Sequence, residues 1–204
     1  MIYNIELKNI QKKYGDRIII NNGNFNFDNK HIYIISGKNG CGKSTLLNII
    51  SNYDTDYKGS YNKHKLKVAY LLQEDMLFRN LTVKENLKLK IYALYLTNND
   101  EIITYISDKL NLHDILEKKI YELSGGEKKK VGIGQILISD SDIILLDEPI
   151  SNIQEDYAKE LMDIIFDVFR DKILIITSHK DICSKTNRPF IKIEIKEGDV
   201  KYEV

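Results

Sequence analysis

Short, unbroken apolar runs set the frame of this chain. "HIYIISG", "KVAYLLQ", "DIILLDEP" and "KILIITSH" each place several branched or aromatic residues in succession and then turn polar. Runs of this kind predict strands buried on both faces, the habit of a parallel sheet, with "HIYIISG" entering a ligand loop. Near the start, "IYNIELKN" and "RIIINNGNFNF" read as strands of a hairpin-like antiparallel sheet joined near Gly15 and Asp16. "KSTLLNIISN" reads as a helix, and so does "EDYAKELMDIIFDVF"; "FIKIEIKEGDVKYEV" predicts a closing hairpin. Between the strand regions the character changes. "LTVKENLKLKIYALYL" opens with a capping box, Thr82 and Glu85, and runs on as an amphipathic helix, and "NDEIITYISDKLNLHDILEKKI" continues helical. The pattern therefore predicts one α/β domain over 1–204, with a core at about 1–75 and 136–204 and a helical subdomain at about 76–135.

Composition adds little to that frame but excludes several classes. A length of 204 residues with 43% hydrophobic and 29% charged residues suits one soluble globular domain, and a formal net charge of zero gives no global field for nucleic acid. Cys41 and Cys183 are far apart and match neither a zinc spacing nor a disulfide framework, which suits a reducing cytoplasm. The opening residues lack the layout of a signal peptide, and no apolar stretch approaches the ~20 residues of a membrane span. The expectation is a cytosolic protein that meets any membrane through a partner.

The chemistry concentrates in a few places. "GKNGCGKS" fits G-x-x-x-x-G-K-[ST] between a predicted strand and a predicted helix. Gly37, Gly40 and Gly42 let main-chain N–H groups wrap phosphate oxygens, and the helix starting near Lys43 aims its positive end at the same anion. Lys43 adds a full charge, and the Ser44 hydroxyl is placed to ligate Mg²⁺. Asn39, Cys41 and Thr45 complete the candidate nucleotide-binding stretch, with Cys41 at an unconstrained position. "DIILLDEP" ends in two adjacent acids. Asp147 is the candidate Mg²⁺ supporter, commonly through water, and Glu148, facing elsewhere because strand side chains alternate, is the candidate general base. His179, ending the "ILIITSH" strand, is placed to contact a γ-phosphate and hold the attacking water; His31, His64 and His113 have no companions. In "YELSGGEKKKVGIGQIL", Ser124 and Glu127 form a second capping box, and Gly125 and Gly126 expose a helix start as a second phosphate cradle.

Taken in order, these stretches resemble the nucleotide-binding domain of ABC (ATP-binding cassette) transporters over essentially the whole chain. "GKNGCGKST" resembles the Walker A loop, "LSGGE" the signature and "IILLDEP" the Walker B strand; Gln73 matches the Q-loop, "TSH" the switch histidine, and Tyr14 in "KKYGDR" the aromatic that stacks on adenine. The resemblance implies a P-loop NTPase (RecA-like) core with an antiparallel β subdomain and a helical signature subdomain. It implies Mg-dependent ATP hydrolysis, with Glu148, His179 and Gln73 catalytic and with Ser44, Gln73 and Asp147 at the metal. It also implies a head-to-tail dimer in which Ser124, Gly125 and Gly126 of one copy meet the ATP held by the other. The membrane domains would sit on a separate chain docked near the Q-loop, with Met76, Leu77 and Phe78 as candidate contacts, leaving this subunit cytoplasmic and peripheral on the inner face of the cell membrane. By analogy, a compact lysine- and isoleucine-rich cassette suggests export of peptides or antimicrobials. The sequence departs from the pattern at Gln154, where the loop after Walker B usually ends in Asp, and at Lys130 and Gln135, which replace arginines. An ABC ATPase acting on nucleic acid or in assembly is the alternative, disfavoured by neutral charge and by the lack of coiled-coil or zinc modules. A P-loop kinase needs arginines over the transferred phosphate, and the four here, Arg17, Arg79, Arg170 and Arg188, stand in no matching motif.

Overall fold

The computed structural model describes residues 3–73, 76–179 and 186–203; Cys183, the second cysteine of the sequence, lies outside them. The two opening stretches form a long antiparallel pair, β1 (Asn4–Tyr14) and β2 (Arg17–Asp28), turned at Gly15 and Asp16 as expected. β3 (Ile32–Ser36) leads into helix α1 (Lys43–Ser51). A further strand, β4 (Lys58–Asn62), was not visible in the pattern: "KGSYN" is polar and mostly exposed. It adds to the free edge of β1, giving the sheet order β2-β1-β4. Gly59 makes that pairing possible beside the β1 irregularity at Asn9, because a Cβ there would lie 2.5 Å from the Lys8 carbonyl oxygen.

The central sheet has the order β5-β6-β7-β3-β8-β9, from β5 (Val68–Leu71), β6 (Ile143–Asp147), β7 (Ile173–Thr177), β8 (Phe190–Lys196) and β9 (Asp199–Glu203). All neighbours are parallel except the closing hairpin β8–β9. Its strands are unbroken in apolar character because both faces are covered. Ile143 and Leu145 pack with Leu46, Leu47 and the first sheet, whereas Ile144 and Leu146 pack with the helices on the other side.

The helical insertion comprises α2 (Val83–Ala93), α3 (Asn99–Leu110), two short 3₁₀ turns and α4 (Gly125–Ile138), followed after β6 by α5 (Glu155–Val168). The Thr82–Glu85 capping box forms as the sequence predicts: Thr82 Oγ1 accepts the Glu85 N–H, and Glu85 accepts the Thr82 N–H. α4 runs three residues past the expected end of the helical region at 135. Its small residues explain why it threads inward: a Cβ on Gly132 would lie 2.8 Å from Leu71, and one on Gly134 3.0 Å from Ile106. The insertion and the sheet thus share one apolar cluster running from Val83 and Leu87 to Leu146.

Candidate functional site

The loop between β3 and α1 is built for close approach. Gly37, Gly40 and Gly42 all have positive φ, at 142°, 73° and 116°. A Cβ on Gly37 would meet the Ile195 carbonyl oxygen at 2.5 Å, and one on Gly42 would meet Ile19 at 2.7 Å. The first turn of α1 has no side-chain cap at Gly42, so its N–H groups face the loop. Arg17 braces the loop from outside, donating to the Gly40 carbonyl at 2.9 Å.

Lys43 is buried, and its ammonium donates to the Gly37 carbonyl at 2.9 Å. The same nitrogen lies 3.0 Å from His179 Nε2, which in turn lies 2.8 Å from Glu148 Oε1. One imidazole nitrogen therefore stands between a cation and a carboxylate. It can donate to Glu148 or accept from Lys43, but not both at once. A chain of three side chains, from the start of α1 and from just beyond the ends of β6 and β7, converges on a single point.

Glu148 reaches that point by a route the sequence reading had wrong. The strand ends at Asp147, so alternation along β6 does not set the direction of Glu148. Its φ is 53°, a left-handed conformation that a non-glycine residue holds at a cost of order 1–3 kcal/mol. Two bonds hold it there: its N–H donates to Thr177 Oγ1 at 2.9 Å, and its carbonyl accepts from Ser151 Oγ at 2.9 Å. Thr177 in turn donates to Asp147 Oδ1, and the Tyr70 hydroxyl donates to Asp147 Oδ2 at 3.2 Å. Burial pushes the Tyr70 phenol well above its usual range, and the neighbouring Asp147 charge adds to this. Asp147 is only 4% exposed, with a hydroxyl on each oxygen. Thr177 and Tyr70 were missed from sequence. The one available signal was a lone threonine closing the apolar run "ILIIT".

Tyr14, Gly40, Gly42, Lys43, Ser44 and Thr45 line one cavity of about 260 Å³ together with Arg17 and Ile19. The structure thus brings the aromatic and the lysine loop together. Asn39 and Cys41 instead line an adjoining cavity of about 510 Å³, between the outer side of the loop and the β8–β9 turn. Gln73 is exposed beyond the end of β5, and its carbonyl accepts the buried Lys129 ammonium of α4 at 2.7 Å.

The turn Ser124–Gly126 is not part of the Tyr14 cavity. Its capping box forms: Ser124 Oγ accepts the Glu127 N–H, and Glu127 accepts from the Ser124 N–H and hydroxyl. The two glycines have different reasons. Gly125 is exposed, with only the Asn152 carbonyl at 4.0 Å from a would-be Cβ, whereas Gly126 is buried with the Tyr157 ring 2.3 Å away. The small size of Gly126 is therefore required by packing within the chain. Lys130 also packs here, 2.9 Å from Glu160 and over the Tyr157 ring. Gln135 donates to the Asn86 carbonyl at 3.2 Å. Gln154 is the exposed N-cap of α5. Met76 and Leu77 line a cavity of about 180 Å³ at the junction of β5 and α4, and Phe78 is exposed outside it.

Hydrogen bonding from Ser124 lowers the Glu127 pKa below its usual 4.5, with nearby Lys118 and Lys130 helping against burial. The stabilisation from its charge is present above pH 4.5 and is lost as pH falls through the lowered value. Glu127→Gln is therefore expected to be less stable than the parent at pH 7, by under about 1 kcal/mol, with the gap closing below pH 4. Denaturant unfolding across pH checks this, and a constant gap from pH 7 to 3 would contradict it.

Among the described residues no helix is long and apolar enough to cross a membrane. The model of the ABC transporter family matches residues 20–151. The chain is 31% identical to the phosphonates import ATP-binding protein PhnC of Fusobacterium nucleatum, over 96% of this chain and 90% of that one. It is 31% identical to the tungstate uptake system ATP-binding protein TupC of Peptoclostridium acidaminophilum, over 87% of this chain and 88% of that one. The lantibiotic transport ATP-binding protein SrtF of Streptococcus pyogenes is 29% identical over 86% of this chain and 80% of its own length. Import or uptake stands in two of these names and export in none, so the expected direction of export finds no support. A lysine loop, a capped Ser-Gly-Gly turn and a strained glutamate in this order, with that match, make the protein a member of the ABC transporter family, an ATP-binding subunit whose ATP hydrolysis is coupled to transport.

Proposed function

We propose that two copies of this chain close head to tail around two Mg–ATP, and that the closure drives a membrane subunit carried on a separate chain. The observation that carries this reading is the separation of two anion-binding features. The lysine loop and Tyr14 share one cavity, whereas Ser124 and Gly125 stand exposed at a capped helix start away from it. A second copy supplies that turn with a ligand. Within the site, Lys43 and the loop N–H groups take the phosphates, Tyr14 takes the base, Glu148 acts as general base, and His179 holds the attacking water. Gln73 would serve the metal and the attacking water.

The donor set suits magnesium. Among the described residues no cluster of three His, Cys, Asp or Glu forms a protein cage. Ser44, lining the loop cavity, and Asp147, at the end of β6, instead offer one hydroxyl and one carboxylate, the sparse protein share typical of Mg²⁺ bound largely by phosphates and water. Those residues would hold the ion, which neutralises phosphate charge.

On this reading the membrane subunit docks at Met76, Leu77 and Phe78, which keeps this chain peripheral on the inner membrane face. Uptake is the direction the relatives' names favour. Nucleic acid is not a partner on this reading, since the formal net charge is zero. Solution mass with and without ATP tests the dimer. A monomer at saturating Mg–ATP, in the parent and in Glu148→Gln alike, would reject it. Affinity purification from membranes should bring down a polytopic protein, and repeated recovery without one would reject the transporter assignment.

A further inference from the structure

The wall of the nucleotide cavity formed by Tyr14 has a built foundation. Lys12, two residues earlier on the same face of β1, is only 3% exposed, and its ammonium lies 4.9 Å from the centre of the Tyr14 ring. The ammonium also donates to Asp54 Oδ1 at 2.9 Å, to the Asp56 carbonyl and, more weakly, to Asp56 Oδ2 at 3.4 Å. The Tyr14 hydroxyl donates to Asp54 Oδ2 at 3.2 Å. One carboxylate therefore clamps both the lysine under the ring and the phenol at its tip. A side chain that is 52% exposed would ordinarily move among rotamers; here it is fixed at both ends.

The clamp is tied to the phosphate loop by a single rigid element. Asp54 follows the C-terminal end of α1, where its N–H donates to the Asn48 carbonyl at 3.0 Å. The nine residues of α1 span about 13 Å, and its N-terminal end carries Lys43 and Ser44. Base wall and phosphate cradle are thus held at a set spacing by the two ends of one helix. Burial disfavours the Lys12 charge, but the bonds and charges of Asp54 and Asp56 outweigh it and raise its pKa. Asp54 is held low by Lys12, the Asp56 N–H and Tyr14 in spite of its own burial. Both groups stay charged across the neutral range, and the ammonium on one face of the ring leaves the other face for a base.

We propose that Lys12 and Asp54 are positioning residues for nucleotide: they fix Tyr14 as a pre-set stacking wall, so that affinity for the base depends on them and affinity for the triphosphate does not. The proposal rests on the assignment of Tyr14 to the base. Cation and ring together also polarise the stacking face toward an electron-rich purine.

The test compares ATP with inorganic tripolyphosphate, which offers the same anion without a base, by equilibrium binding to the full chain. Lys12→Met keeps the stem and removes the charge, and Asp54→Asn keeps the shape and removes the carboxylate. Each is expected to weaken ATP about tenfold, the scale of one base–aromatic contact, while tripolyphosphate affinity stays within about twofold. In ATPase assays the loss should fall on KM, with kcat nearly unchanged. Lys12→Arg should recover part of the ATP affinity. Equal loss for both ligands would mean a merely structural role and overturn the proposal, as would unchanged ATP affinity in both variants. Tyr14→Ala separates the two levels: if it leaves ATP binding intact, the base assignment itself falls and the clamp with it. If Tyr14→Ala weakens ATP and the clamp variants do not, only the clamp falls.

Discussion

Glu148→Gln is expected to lower ATP hydrolysis at least ~100-fold while leaving ATP affinity within a few-fold of the parent. The substitution is nearly isosteric, so the left-handed backbone, the Thr177 bond to the main-chain N–H and the Ser151 bond to the carbonyl all survive. What changes is the acceptor. The Glu148 carboxylate, 2.8 Å from His179 Nε2, can take a proton from an attacking water; an amide cannot. The strain at this residue points the same way, since a φ of 53° on a glutamate persists only where surrounding bonds over-determine it. With turnover blocked and binding intact, the closed dimer should accumulate in Mg–ATP and be seen by size-exclusion chromatography or light scattering. Near-normal turnover would remove Glu148 from the role of base, and His179 would then be the group to test. Loss of ATP affinity would instead mean that the residue acts in binding.

The sequence was most informative where a single physical requirement dictated residue type. A sheet covered on both faces needs unbroken apolar strands, so β3, β5, β6 and β7 were legible as written. Capping boxes need Ser or Thr three residues before Glu, so the starts of α2 and α4 were legible too. The failures share a cause: they depend on lateral neighbours, which a linear pattern does not encode. β4 is polar and exists because the edge of β1 lies beside it. Thr177 and Tyr70 matter because Asp147 pairs opposite Thr177 across the sheet and lies within reach of the β5 phenol. Gly126 also has a packing role invisible in the linear pattern, since Tyr157 from the next helix fills the space a Cβ would need. Asn39 and Cys41 belong to the phosphate-loop motif by position, yet both line the cavity on the β8–β9 side of the loop. The motif identified which stretch of main chain matters but not which way each side chain points.

Lys43→Ala is the complementary experiment, and it should remove affinity rather than rate. The ammonium is buried within the loop, bonded to the Gly37 carbonyl and next to His179, so its charge is poorly screened. One contact between such a cation and a phosphate oxygen is worth up to ~4 kcal/mol at an effective dielectric of about 20, an upper limit that desolvation reduces. A loss of ~100-fold or more in ATP affinity is therefore expected, measured by equilibrium binding. The tripolyphosphate affinity should fall in parallel, because the lost contact is to phosphate and not to base. Lys43→Met separates charge from packing: it keeps the stem against the loop, so it should bind as poorly as Lys43→Ala while unfolding closer to the parent temperature. Unchanged affinity in a folded Lys43→Met would contradict the phosphate-loop reading outright. The pattern across variants is what gives the site its internal consistency: Glu148 governs turnover without binding, Lys43 governs both ligands, and Lys12 with Asp54 governs only the one that carries a base.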